Sequence, residues 1–139
     1  MKKEEAKVEG LMVAFGDSPD KDGDVFVKGG VDAKEFLARG HIVKKYTNHP
    51  SDVIGQPTMV EEREDGVHVE GVVHPQEIKN LAGPGTELGF GIAGKILEKE
   101  EVDGVTLLRR VEVTSLAIMP LSMVTDPRCK CRVTLKRGE

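Results

Sequence analysis

A mostly β fold with short helices, closed as a compact six- to seven-stranded and mainly antiparallel barrel, is the architecture this sequence predicts. Two Asp-Gly dipeptides, Asp65-Gly66 and Asp103-Gly104, sit between apolar runs, and Asp-Gly is a strong short-range hairpin signal. The other apolar runs are of strand length and are separated by clusters of Gly, Pro and Asp. The 139 residues suit one domain, spanning 1–139, with one core.

In order, Val8–Phe15 alternates loosely and reads as a first strand. Gly16–Gly23 (GDSPDKDG) is too rich in Asp, Gly and Pro to be anything but a loop, after which Asp24–Val27 resumes an extended segment. Gly29-Gly30 breaks the chain before Asp32-Ala-Lys-Glu35. That spacing predicts a capping box and a short helix over Ala33–Arg39, with Phe36 and Leu37 inward and Gly40 as its stop. His41–Thr47 is a strand candidate running into Asn48-His49-Pro50, where proline ends regular pairing. The first hairpin joins Thr58–Glu64 to Val67–Val73, and the second joins Leu88–Glu98 to Val105–Ile118. Pro75–Asn80 between them suits a helical turn, and Arg132–Lys136 reads as the last strand.

Composition excludes several functions. A net charge of −4, no Trp and a single Tyr give neither the basic face nor the stacking platforms that nucleic acid needs. No apolar stretch approaches bilayer length, and the N-terminal MKKEEAKVEG has no signal-like apolar region, so neither a membrane nor a secretory route is expected. Cys129 and Cys131 are too few for a closed zinc site and badly spaced for a disulfide, so two free thiols in a reducing cytoplasm are expected. Asp20-Lys-Asp22-Gly-Asp24 lacks the distal bidentate Glu of a calcium loop and reads as a plain turn. His41, His68 and His74 read as surface or strand residues. No metal or other cofactor is expected.

Four segments, in order, resemble the prohead (capsid maturation) protease family of tailed bacteriophages, whose fold is related to the herpesvirus assembly protease. They are Asp22-Gly-Asp-Val25; Asn48-His49-Pro50 with Ile54-Gly-Gln-Pro57; Glu64–Gly71; and Leu88–Lys95 followed by Val113–Pro120. Together they span about Val8 to Pro127. The resemblance implies a serine endopeptidase, a hydrolase of virion assembly. It would act in the host cytoplasm within the assembling procapsid, cutting scaffold and capsid proteins, and a homo-oligomer is left open. His49 maps to the family's general base. The family's nucleophilic Ser maps without gaps to Gly91, which has no hydroxyl, so the chain as written is expected to be inactive. Engineered knockout and natural loss both fit, with Ala93 as the alternative altered position. A non-enzymatic structural or scaffold-binding module with the protease fold is the rival reading.

A two-residue turn at Asp103-Gly104 pairs Val102 with Val105, which sets Gly91 opposite Leu116. Glu112 and Thr114 then share the face of Gly91, while Val113 and Ser115 point to the core with Phe90, Ile92 and Ile96. Glu112 is the expected acid to orient His49, although it lies four residues along the strand, about 13 Å. Thr114 is the alternative. Gly89, Gly91 and Ala93 give a bare strip suited to a substrate backbone. Ser115, facing the core, and Ser122, without a base, are weak substitutes for a nucleophile.

Overall fold

The computed structural model describes residues 4–16, 19–44, 53–81 and 85–137. The described elements form nine strands and two short helices. Strands are β1 (Glu4–Ala14), β2 (Asp24–Phe26), β3 (Val31–Asp32), β4 (His41–Lys44), β5 (Val53–Arg63), β6 (Gly66–Val73), β7 (Leu88–Val102), β8 (Val105–Pro120) and β9 (Lys130–Arg137). Helix α1 covers Lys34–Arg39 and α2 covers Pro75–Leu81. Seven strands close a ring in the order β8-β4-β5-β6-β1-β9-β7 and back to β8, so the predicted β-barrel class is observed. Every neighbouring pair in that ring is antiparallel except β4–β8.

The 16-residue β8 is the spine. Along one edge it carries three short parallel partners end to end: β2 on 106–108, β3 on 111–112 and β4 on 115–118. Helix α1 links β3 to β4, two short strands that lie end to end on the same edge of β8. Phe36 of α1 is fully buried and fixes that connection to the core. Leu37, expected inward, is 42% exposed, because a six-residue helix presents only one buried turn. The capping box is also corrected. Asp32 ends β3 and its Oδ1 accepts the Lys34 N–H at 3.0 Å, but Ala33 is the N-cap and no side chain caps it. Glu35 turns instead to Arg39, 3.6 Å away on the next turn.

Across the barrel, β6 is the most regular strand. Val67, Val69, Gly71 and Val73 are buried while His68, Glu70 and Val72 are half-exposed, the alternation of a strand with one wet face. It pairs with β1 on one side and β5 on the other. The β5 ladder slips between Pro57 and Met59, beside a residue with no N–H to give. The main core lies inside the ring, with Val8, Met12, Phe36, Ile42, Ile54, Phe90, Leu116 and Ile118 all nearly or fully buried.

Candidate functional site

The β7–β8 hairpin carries the candidate nucleophile position, and its register differs from the expected one. The turn is the expected one: Asp103 and Gly104 both take positive φ, 50° and 82°, and Val102 pairs with Val105. Irregularities then accumulate along the ladder, between Ile96 and Glu98, Glu98 and Lys99, and Ala93 and Gly94. At the last of these β8 contributes one extra residue, Thr114, because Gly94 pairs with Val113 and Ala93 with Ser115. Gly91 consequently faces Ala117, not Leu116. The bulge also reverses parity along β8. Val111 and Val113 point inward before it, Leu116 and Ile118 after it.

Gly91 therefore shares the outer face of the sheet with Ala117 and, one strand further, Val43. Val43 and Ala117 pack outside the main core with Met119, Val124 and Leu121. Ser115 is not core-facing. It is half-buried on this outer side, paired with Ala93 on β7 and with His41 on β4. Thr114, taken as sharing the face of Gly91, is the bulged residue, and its hydroxyl donates to the Ala93 carbonyl at 3.1 Å. Glu112 pairs with Lys95, four positions from Gly91, so the offset of about 13 Å remains. Ile96, expected in the core, is 52% exposed on the part of the hairpin that outruns the ring.

The strip Gly89, Gly91, Ala93 is only partly bare. A Cβ on Gly89 would lie 2.8 Å from Leu121 Cδ1 and 2.8 Å from Val124 Cγ1, so the segment after β8 already covers that glycine. Sequence reasoning missed this cover because Leu121 and Val124 belong to an irregular stretch with no periodicity to read.

His49, with Asn48 and Pro50, lies outside the described residues. Its flanks are described. The chain leaves β4 at Lys44, paired with Ile118, which in turn pairs with Phe90; it re-enters β5 at Val53, paired with Val43. Both ends of the segment that carries His49 thus border the rows that hold Phe90 and Gly91. Strands β4 and β7 stand two ladder spacings apart, about 10 Å.

A cleft opens beside Gly91. Strand β9 pairs with β1 from Glu4 to Gly10 but meets β7 only at Leu88 and Gly89. Beyond the Lys130 end of β9, β1 and β7 splay, leaving a cavity of about 210 Å³. Its walls include Met12, Ala14, Phe26, Phe90, Ile92 and Leu108, and Gly91 and Gly94 lie along it. Asp20, Asp22 and Asp24 stand at its rim, with carboxylate oxygens within 4.8 Å of one another. Burial and the charges of Asp20 and Asp22 hold the Asp24 carboxyl above its ordinary value. The turn reading of this segment holds, since Asp20 Oδ1 accepts the N–H groups of Asp22 at 2.9 Å and Asp24 at 3.0 Å.

Of the remaining candidates, Cys129 lines the same cavity as Gly91, and its carbonyl accepts the Phe90 N–H at 2.8 Å. Cys129 and Cys131 are buried free thiols, both pushed up to about 12 chiefly by burial. At neutral pH they are protonated and poor nucleophiles. His68 sits on the outer face of β6, with Nε2 2.8 Å from Asp65 Oδ1. His74 follows β6 and shares a shallow surface hollow with His41 and Glu5. Among the described residues no helix is long and apolar enough to cross a membrane. No protein-family model matches this chain, and no curated protein matches it either.

Proposed function

We propose that this chain is a serine-type prohead protease domain whose nucleophile position is occupied by Gly91, so that in its present form it binds a peptide segment without cutting it. In this reading a Ser hydroxyl at position 91 would attack the scissile carbonyl, His49 would take its proton, and the substrates would be capsid and scaffold proteins. The single observation that carries it is the position of Gly91: in the run that resembles the family's nucleophile segment, with its backbone along a cleft, its side-chain position on the outer face in one row with Ala117 and Val43, and the flanks of the His49 segment two and three strands away. The barrel class is what the family resemblance led us to expect. The missing hydroxyl favours the non-enzymatic alternative for the chain as it stands.

Gly91→Ser tests the assignment. The variant should acquire hydrolysis of its cognate capsid or scaffold protein, or self-cleavage, where the present chain has none. General-base assistance alone is worth about 10²–10⁴-fold, so the gain should be visible on a gel. Adding His49→Ala should abolish it, while adding Ser115→Ala should not. A folded Gly91→Ser protein that leaves those substrates intact would remove the protease reading.

A further inference from the structure

Strand β7 has a half-paired edge, and that edge adjoins the cleft. Leu88 and Gly89 are the positions of β7 that pair with β9. The Phe90 N–H still finds the Cys129 carbonyl at 2.8 Å. From Gly91 to Val102, among the described residues, the backbone of β7 has β8 as its only ladder partner. A strand with one ladder unmade is a template for another extended chain.

The cavity lies along the first part of this edge, with Gly91, Ile92, Gly94 and Ile96 on its β7 side. Its walls are apolar and its rim holds Asp20, Asp22 and Asp24. The carboxylates alone would be an ordinary acidic turn. Set at the mouth of an apolar cavity, they complement a long side chain with a methylene stem and a cationic head, which buries the stem and keeps the head among polar groups. The nearby cations are engaged elsewhere: Arg128 Nη2 lies 2.8 Å from Asp126 Oδ2, and Lys21 Nζ is 3.4 Å from the Ser122 carbonyl. Asp24 is held above its ordinary value first by burial and then by the charges of Asp20 and Asp22, and Lys99 offsets this least.

We propose that the cleft between β1 and β7 is a docking groove for an extended peptide bearing a lysine or arginine, whose backbone pairs with the free edge of β7 and whose basic side chain enters the cavity beneath Asp20, Asp22 and Asp24. This deepens the protease reading by naming the substrate class, and it rests on that reading only for the cleavage step, not for docking. Backbone pairing would supply affinity independent of sequence, and the cavity would select the basic residue.

The test uses the chain as it stands and a fluorescein-labelled heptapeptide of alternating valine and threonine with a central lysine, monitored by fluorescence anisotropy. Saturable binding is expected. It should weaken at least tenfold when glutamate replaces the lysine, and by a similar factor when alternate backbone amides are N-methylated. Asp22→Asn with Asp24→Asn should also weaken it at least tenfold without lowering the thermal midpoint, since removing the Asp24 charge relieves repulsion in the free protein. If the double variant misfolds, Asp22→Asn alone, at an exposed position, should still cost several-fold. No saturable binding, equal binding of the lysine and glutamate peptides, or indifference to the Asp variants would overturn the proposal. So would a dimer that excludes the peptide, which would assign the edge to a second copy. If the peptide binds but Gly91→Ser stays inert, the protease reading fails and the groove stands. If Gly91→Ser cuts lysine and glutamate peptides alike, the groove fails and the protease reading stands.

Discussion

The two Asp-Gly hairpins begin from the same dipeptide and end in different structures. In the first, Gly66 is not a turn residue. The loop is Glu64-Asp65, and Gly66 opens β6 opposite both Arg63 and Ala14. In the second, Asp103 and Gly104 form the turn itself, with the paired positive φ angles of a type I′ hairpin. The first hairpin is held on both flanks, β6 lying between β5 and β1. The second is held on one flank of β8, and its β7 edge runs free from Gly91 onward among the described residues. Each ladder of β6 contains one irregularity, and in both the extra residue lies on the partner, so β6 itself alternates without a break. The β7–β8 ladder contains three irregularities, with Leu97 extra on β7 and Arg109 and Thr114 extra on β8. The regular hairpin builds the barrel; the irregular one carries the candidate site.

Glycine substitutions should expose this difference most strongly. A Cβ on Gly66 would lie 2.1 Å from the Val13 carbonyl oxygen, on the third strand, at a φ of 156°. Gly66→Ala should therefore cost about 3 kcal/mol, as overpacking against rigid backbone does. A Cβ on Gly104 would meet nothing within 4 Å, so only its φ of 82° resists the change. Gly104→Ala should cost about 1 kcal/mol. Urea unfolding of the two variants checks the ranking, and equal losses would mean that the hairpins are equally embedded.

A smaller effect is expected from deleting Thr114. Without the extra residue, Val113 would stay inward, Ser115 outward and Leu116 inward, which is uninterrupted alternation. The deletion should cost no more than about 1 kcal/mol, the order of a lost hydrogen bond such as the one from Thr114 to the Ala93 carbonyl. Deleting Val69 from the regular strand would turn one half of β6 inside out and should prevent folding. Circular dichroism and a thermal melt separate these outcomes, and a Thr114 deletion that unfolds the protein would count against the bulge.

The bulge also marks where the sequence stops being legible. Strand alternation and turn residues reveal β6, both hairpins, the short helices and the β-barrel class, because each is a local property of the chain. Register across β7–β8 is not local. Val111, Val113, Leu116 and Ile118 are all buried, yet the first two are odd-numbered and the last two even-numbered. In the sequence, Val113-Thr-Ser-Leu shows no more than a two-residue gap between apolar positions, so the parity change passes as ordinary alternation. Nor does anything local announce that β9 starts too late to cover β7. That late start, which creates the cleft, depends on how far the chain must travel after Pro120. The assignment of position 91 rests on a run of residues, not on what lies opposite, so the shifted register neither supports nor opposes it.

The smallest predicted effect concerns Glu112. As the orienting acid it would hold the imidazole of His49 in its tautomer and stabilise the imidazolium formed during attack. In the Gly91→Ser background, Glu112→Gln should then cut the rate at least tenfold. The observed pairing with Lys95 leaves Glu112 about 13 Å along the strand from position 91. Across that distance in water, one unit charge is worth about 0.3 kcal/mol to another. That corresponds to a shift of about 0.2 in the pKa of His49 and less than about twofold in rate. We therefore expect Glu112→Gln to change hydrolysis by less than about twofold and to leave the His49 titration, monitored by NMR, almost unmoved. A tenfold loss with a lowered His49 pKa would instead restore Glu112 to the orienting role and require the hairpin to bend the carboxylate back toward Gly91.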